Sequence, residues 1–331
     1  MFHKLNYDLI KEIIKFIIHP KWVLRNSIPE NQLHIRLLST NKNSFDFLMN
    51  HIDYIDSYSF SRQTSNKYVL YLLRNPNLID YSAFSFNINP LAIDHMIKNS
   101  NLINWVLFCS LENDEAVVFM IQNESKINWL TFSRNKNPIA VNYILEHTNF
   151  IEQIPFCTNS NTKAVLHYLK DKTFGDILPE FFCNENDTAV SFLISHHLEW
   201  SRTQMSIFST NKNKKAILFL TGHPQYIIWE RFSTHSDTDA ISFMIKNHQL
   251  VDWSILSSRD NDQLLDFLLE NTEYIQYPSF YINSNKKAID YIIQNNIFDN
   301  TYFLLSGNKS IFIPKEDTQI IESVTQKFLN L

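Results

Sequence analysis

One aromatic position recurs through this chain at a nearly fixed interval, and that interval limits the fold more than any other feature. With Phe132 as anchor, the equivalent positions are Phe60, Phe84, Phe108, Phe156, Phe182, Phe208, Phe232, Leu256 and Phe280. Most intervals are 24 residues, and the two flanking Phe182 read as 26. Degenerate copies around Leu38 and Phe303 bring the array to about twelve repeats, a period and number that belong to stacked repeat architectures.

Each copy has the same internal order. A triplet such as Ile103-Asn104-Trp105 or Val251-Asp252-Trp253 precedes the anchor, and Ser or Cys follows it. Beyond a polar loop comes an Ala with Ile or Val, as in Ala140-Val141, then an aromatic and two aliphatics. Counting from the Ala, apolar residues fall at i, i+1, i+3, i+4 and i+5, which makes a wide helical face and rules out strand alternation. The spacing predicts a helix of about three turns, a turn, and a short helix through the anchor. One such pair cannot bury its own apolar face, so neighbours must stack. The expected fold is all-α, an α-solenoid with a HEAT- or ankyrin-like superhelix over residues 36–303. Capping helices are expected at 1–35 and 304–331, and the period breaks at 172–206.

The slots of the repeat account for most of the conspicuous residues. Asn89, Asn113, Asn137, Asn161, Asn186, Asn213, Asn261 and Asn285 stand just before helical residues, where Asn is a strong N-cap. Pro90 and Pro138 follow at the first helical position, which tolerates proline. Asn75, Asn99, Asn123, His147, Asn247, Asn271 and Asn295 follow the long helices, at the position of a left-handed C-cap. Such caps would explain how the chain manages with 3 glycines. Glycine poverty also excludes a P-loop or dinucleotide fingerprint, because Gly175, Gly222 and Gly307 lie too far apart.

Cys109, Cys157 and Cys183 share a small-residue slot with Ser61, Ser85, Ser133, Ser209, Ser233 and Ser257. This reads as packing rather than as a nucleophile or zinc site. His95 and His167 stand in an aromatic slot. Trp105, Trp129, Trp200, Trp229 and Trp253 form a stripe read as core between repeats, although such a stripe can also be a stacking platform for single-stranded nucleic acid. No metal, cofactor, catalytic group or small-molecule substrate is expected.

The variable part is the loop between anchor and long helix. It is basic in SRNKN (133–137), NSNTK (159–163), NKNKK (211–215) and NSNKK (283–287). It is acidic in ENDE (112–115), NEND (184–187) and SDTD (236–239). A mixed edge, with a net charge of −5, argues against a uniform phosphate-tracking stripe. Arg134, Lys136, Lys212, Lys214, Lys215, Lys286 and Lys287 are the candidate partner-contact residues.

No apolar run reaches the ~18 residues of a membrane span, and no signal peptide is expected. Three cysteines without a CxxC pair suit a reducing intracellular setting. At the N-terminus, LNYDLIKEIIKFI (5–17) resembles the start of an F-box, though the downstream part of an F-box is not evident.

The run I-D/N-W-x-x-F/L-S-x-N-x-N-x-x-A-I, best matched at 127–151, resembles the tandem "NPNAIHLLE…IDW…LS" repeats of proteins from mimivirus-like giant DNA viruses. The resemblance spans roughly residues 37–303, although forms such as NKNKKAILFL replace "NPNAIHLL". It implies a repeat scaffold in the host cytoplasm or a viral factory, and it supplies no catalytic residues. The leading expectation is a non-enzymatic scaffold that binds protein partners in a viral or virus–host complex. One alternative is a HEAT-like module that binds RNA or a translation or transcription factor through the Lys-bearing loops. Another is a substrate adaptor for a ubiquitin ligase, which rests on residues 5–17.

Overall fold

The computed structural model describes residues 21–315. The fold is all-α, with 21 α-helices among the described residues, arranged as repeated pairs, and one small sheet. The chain divides into two compact units. Residues 57–285 form one, and segments from both ends of the sequence, 21–56 and 286–315, form the other.

In the unit of residues 57–285, the copy around Phe132 shows how the sequence makes a repeat. The short helix Trp129–Phe132 starts where the Asn128 side chain accepts the Thr131 N–H. Asp80, Asn104 and Asp252 cap the equivalent helices in the same way, so the D/N of the triplet is an N-cap. A loop leads to the nine-residue helix Pro138–Glu146, capped by Asn137 and opened by proline. A single turn of 3₁₀ helix, Thr148–Phe150, then returns the chain to the next short helix.

Packing follows from the residue sizes. The Ala slot is fully buried in every repeat that carries it, from Ala92 to Ala240 within this unit. A methyl there lets neighbouring long helices approach closely, and the Ile or Val beside it fills the seam. Fully burying each of these aliphatic side chains contributes about 1.5–3 kcal/mol. The anchors Phe60, Phe84, Phe108, Phe132, Phe208, Phe232, Leu256 and Phe280 are likewise fully buried.

Four expectations are corrected. Five of the residues expected to be left-handed are not: Asn75, Asn99, Asn123, Asn247 and Asn271 have φ between −131 and −113, and the left-handed residue lies one place beyond the cap after two long helices, at Asp171 and Asn296. Positive φ outside glycine is confined, among the described residues, to Asp171 and Asn296. The side chain terminates the helix instead. Asn99 Nδ2 donates to the His95 carbonyl at 2.8 Å and Asn123 Nδ2 to that of Phe119 at 2.9 Å, satisfying last-turn carbonyls without a backbone reversal. Glycine is scarce because the turn does not require it.

Second, the anchor of the irregular repeat is Phe181, since Asn184 N–H bonds to its carbonyl as Asn135 N–H does to Phe132. Phe182 therefore takes the small-residue slot, and Cys183 lies one place beyond it, exposed. The extra residues make the turn Phe174–Asp176, a 3₁₀ segment Pro179–Cys183, and a longer helix, Arg202–Phe208.

Third, the terminal copy is anchored by fully buried Leu305, while Phe303 is exposed. Fourth, the tryptophans at 105, 129, 229 and 253 stack within their own repeat. The rings of Trp229 and Phe243 lie 5.7 Å apart and 5° from parallel. Trp200 is not in that slot. It is buried before the helix Arg202–Phe208, with its indole N–H on the Leu193 carbonyl at 3.2 Å.

The second unit joins the two ends of the sequence. Strand β1, Lys21–Leu24, pairs antiparallel with strand β2, Phe312–Lys315, in the register Lys21 to Lys315. Beside them, His34 N–H donates to Ser306 Oγ at 2.7 Å, and Arg25 bridges to Asp290 at 2.7 Å and to the Ser310 carbonyl at 2.9 Å. Residues 21–24 and 304–315 are thus strand and 3₁₀ turn where helix was expected. The F-box-like stretch 5–17 and residues 316–331 lie outside the described residues.

Candidate interaction edge

The loops after the anchors are fixed by a buried asparagine that the sequence reading left without a role. Asn135 donates through Nδ2 to the carbonyls of Cys109 (3.2 Å) and Leu111 (2.8 Å) in the preceding loop. Its Oδ1 accepts the Asn137 N–H at 3.0 Å. Both amide protons and the carbonyl are satisfied, which is what permits burial to 2% exposure. Asn87, Asn159, Asn184, Asn211 and Asn283 repeat the arrangement, so a ladder of side-chain amides runs from loop to loop. Leu111, His235 and Arg259 interrupt it. His235 Nε2 reaches the Ser209 carbonyl at 2.9 Å, and Arg259 Nη2 that of Thr234 at 2.8 Å.

Two further kinds of bond tie many of the repeats to their neighbours. The N-cap Asn137 also donates to the Glu112 carbonyl and to Asp114 Oδ1. The small-residue slot is chemical as well as steric: Ser85 Oγ accepts the Asn104 N–H at 2.9 Å, Ser233 Oγ that of Asp252 at 2.9 Å, and Cys109 Sγ that of Asn128 at 3.4 Å. This explains why serine and cysteine share the slot. Burial raises the Cys109 thiol pKa, and burial followed by the Glu180 charge pushes Cys157 up to about 12, so neither is poised as a thiolate. The N-x-N spacing was visible in the sequence. The acceptors were not, because they are backbone carbonyls one repeat away.

The fourth residue after most anchors is exposed, whereas the second is exposed in some loops and in others is a half-buried Ser or Thr, such as Thr158 or Thr234, that donates its hydroxyl to a carbonyl three residues back. Arg134 and Lys136 occupy these positions on either side of inward-facing Asn135, both exposed, and neither has an ion-pair partner among the described residues. Lys212 is likewise exposed in its loop. Lys214 and Lys215 are committed elsewhere. Lys214 reaches Asp239 and, at 3.4 Å, Asp237 in the following repeat; Lys215 reaches Asp187 at 3.0 Å in the preceding one. Hydrogen bonds from Asn213 and Lys215 lower the Asp187 pKa, and the bond to Asp239 raises that of Lys214. The basic loop 211–215 is thus paired with acidic residues on both sides. Lys286 and Lys287 open the helix Lys286–Gln294 in the other unit and are exposed there.

The aromatic stripe offers little free π-surface. The Trp129 ring stacks with Tyr143 and Phe150, at interplanar angles of 9° and 13°, and Trp253, Phe267 and Tyr274 form a cluster of three mutually stacked rings. Among the described residues no helix is long and apolar enough to cross a membrane, and no group of three or more His, Cys, Asp or Glu could hold a metal ion. No family model, curated protein or solved structure matches the chain.

Proposed function

We propose that this protein is a non-enzymatic helical-repeat scaffold that holds a protein partner along the loop edge of residues 57–285. The viral or virus–host setting implied by the repeat resemblance is part of the proposal. The observation that carries it is the division of labour in each loop. Asn135 and its equivalents hold the backbone from inside, while the fourth residue after the anchor changes in size and charge from loop to loop, as in Ile88, Glu112, Lys136 and Lys212. A constant frame with interchangeable side chains is suited to recognition by surface pattern. Burial raises the thiol pKa of Cys109 and Cys157, so these two are not poised as nucleophiles.

The RNA-binding alternative draws on the Lys loops, but Lys214 and Lys215 already face carboxylates. The ubiquitin-ligase adaptor rests on residues 5–17, outside the described region. Crosslinking followed by affinity purification from the native cell tests the scaffold reading. A stable, stoichiometric protein partner is expected; recovery of RNA alone, or of no partner, contradicts it.

A further inference from the structure

We propose that the loop after Phe232 is an acid-released joint in the ladder edge, with His235 as its latch. The joint lies within residues 57–285 and does not depend on what the edge binds. Its basis is a shortage of bonds on both sides of one loop. Around Asn135, the rung side chain donates twice to the preceding loop, and the N-cap Asn137 donates twice more. After Phe232 the corresponding residues are His235 and Asp237. His235 makes a single ladder bond, from Nε2 to the Ser209 carbonyl at 2.9 Å. Asp237 caps the helix Thr238–Lys246, but a carboxylate has no N–H to donate to the loop before it. The Ser209 hydroxyl still accepts the Ile228 N–H at 2.9 Å, as in other copies. The remaining link from Lys214 to Asp237 and Asp239 is solvent-exposed, where an ion pair contributes little.

On the other side the rung residue is Arg259. Its Nη2 reaches the Thr234 carbonyl at 2.8 Å, while its buried Nε has no hydrogen-bond partner among the described residues. The amide ladder is whole again beyond this point, where Asn283 donates to the Ser257 and Arg259 carbonyls. It is whole before it too, where Asn211 donates to Phe182 and Asn184. Leu111 also leaves the ladder, but an apolar side chain has no charge state to change.

His235 can change its charge, and its surroundings resist the change. The imidazole is 2% exposed and packs on the Phe232 ring at 4.8 Å. Burial disfavours the protonated ring most. Lys212 from the preceding loop and Arg259 from the following one add to this, while the Ser209 carbonyl and Asp237 oppose it. For Asp237, burial works against ionisation and is outweighed by the N–H bonds from Ala240 and Asp239, so it stays charged in mild acid. The closed joint thus holds a neutral ring, and the parted joint lets water reach it and a proton bind. Closure is fully favoured above the ordinary histidine pKa of about 6.5 and weakens as pH falls below it. With one ladder bond on either side, parting these loops hydrates the ring without unfolding the helices, a local opening.

Hydrogen–deuterium exchange of the full chain at about pH 7.5 and 5.5, corrected for intrinsic chemical exchange, tests this. Protection across 226–241 and 251–262 should fall several-fold between the two, with a ceiling of about tenfold for one histidine. Protection across 132–157 should hold. His235→Asn, which places the usual rung residue in the joint, should abolish the change. Arg259→Asn, which removes a facing cation, should shrink it. Equal protection of 226–241 at both pH values overturns the proposal, as does the same fall in His235→Asn. An equal fall across 132–157 overturns it as well, since acid would then loosen the array as a whole.

Discussion

Asn135 and Asn41 make the same bonds across very different lengths of chain. Asn135 reaches carbonyls 24 and 26 residues back, at 2.8 and 3.2 Å. Asn41 donates to the carbonyls of Ser306 and Asn308, at 3.0 and 2.8 Å, across separations of 265 and 267 residues. The first copy of the repeat thus sits against the last as any copy sits against its predecessor. The chemistry of the rung is constant while the entropy of forming it is not. Joining ends 265 residues apart in an unfolded chain costs about 2 kcal/mol more than joining ends 25 apart. Local rungs therefore form first, and the rung between the two ends closes after the intervening repeats have folded. The same reasoning makes the end unit the first to open.

The largest test of this contrast is Asn135→Ala. It strands two carbonyls and an N–H in a buried loop, and about 3 kcal/mol should be lost from global stability in urea denaturation. A loss within a few tenths of a kcal/mol would mean that the rung is incidental. Asn41→Ala removes the same bonds but should cost about 2 kcal/mol, confined to residues 21–56 and 286–315. If it lowers the main unfolding transition as much as Asn135→Ala does, the two units do not differ in the way described.

His235 sharpens the comparison within residues 57–285. Burial lowers its pKa from the ordinary value of 6.5, with the Ser209 carbonyl acting in the opposite direction. The unfolded chain then takes up a proton that the folded chain refuses, so this group makes stability fall as pH drops below about 6.5. Between pH 6.5 and 5.5 its contribution is bounded at about 1.4 kcal/mol, one proton over one pH unit. His235→Asn should restore an amide rung and flatten that part of the profile. An unchanged slope in the variant would show that the proton is taken up elsewhere. The smallest effect belongs to Cys109→Ser, which places in the slot the residue most repeats already use. Stability should stay within about 0.5 kcal/mol of wild type; a larger loss would show that the slot depends on the bulk of sulfur.

The regular unit was legible in the sequence because its contacts are local. The Ala seam, the N-caps such as Asn89 and Asn213, and the all-α class follow from spacing and capping chemistry alone. The anchors Phe181 and Leu305 were displaced from their expected positions because each has another phenylalanine within two residues, and the choice is settled by which backbone meets the ladder. Strands β1 and β2 were not legible, since each has four residues and a partner at the other end of the chain. At the edge, Arg134, Lys136 and Lys212 were among the expected contact residues and are exposed. The commitment of Lys214 and Lys215 to neighbouring aspartates depends on which loops the ladder places side by side.

Hydrogen–deuterium exchange of Asn41→Ala beside wild type tests the joining of the two ends most directly. The amides of 21–25 and 306–313 should exchange faster in the variant, while those of 84–141 keep wild-type protection. Unchanged protection at 21–25 and 306–313, or an equal loss across 84–141, would show that the ladder does not join the ends of this chain.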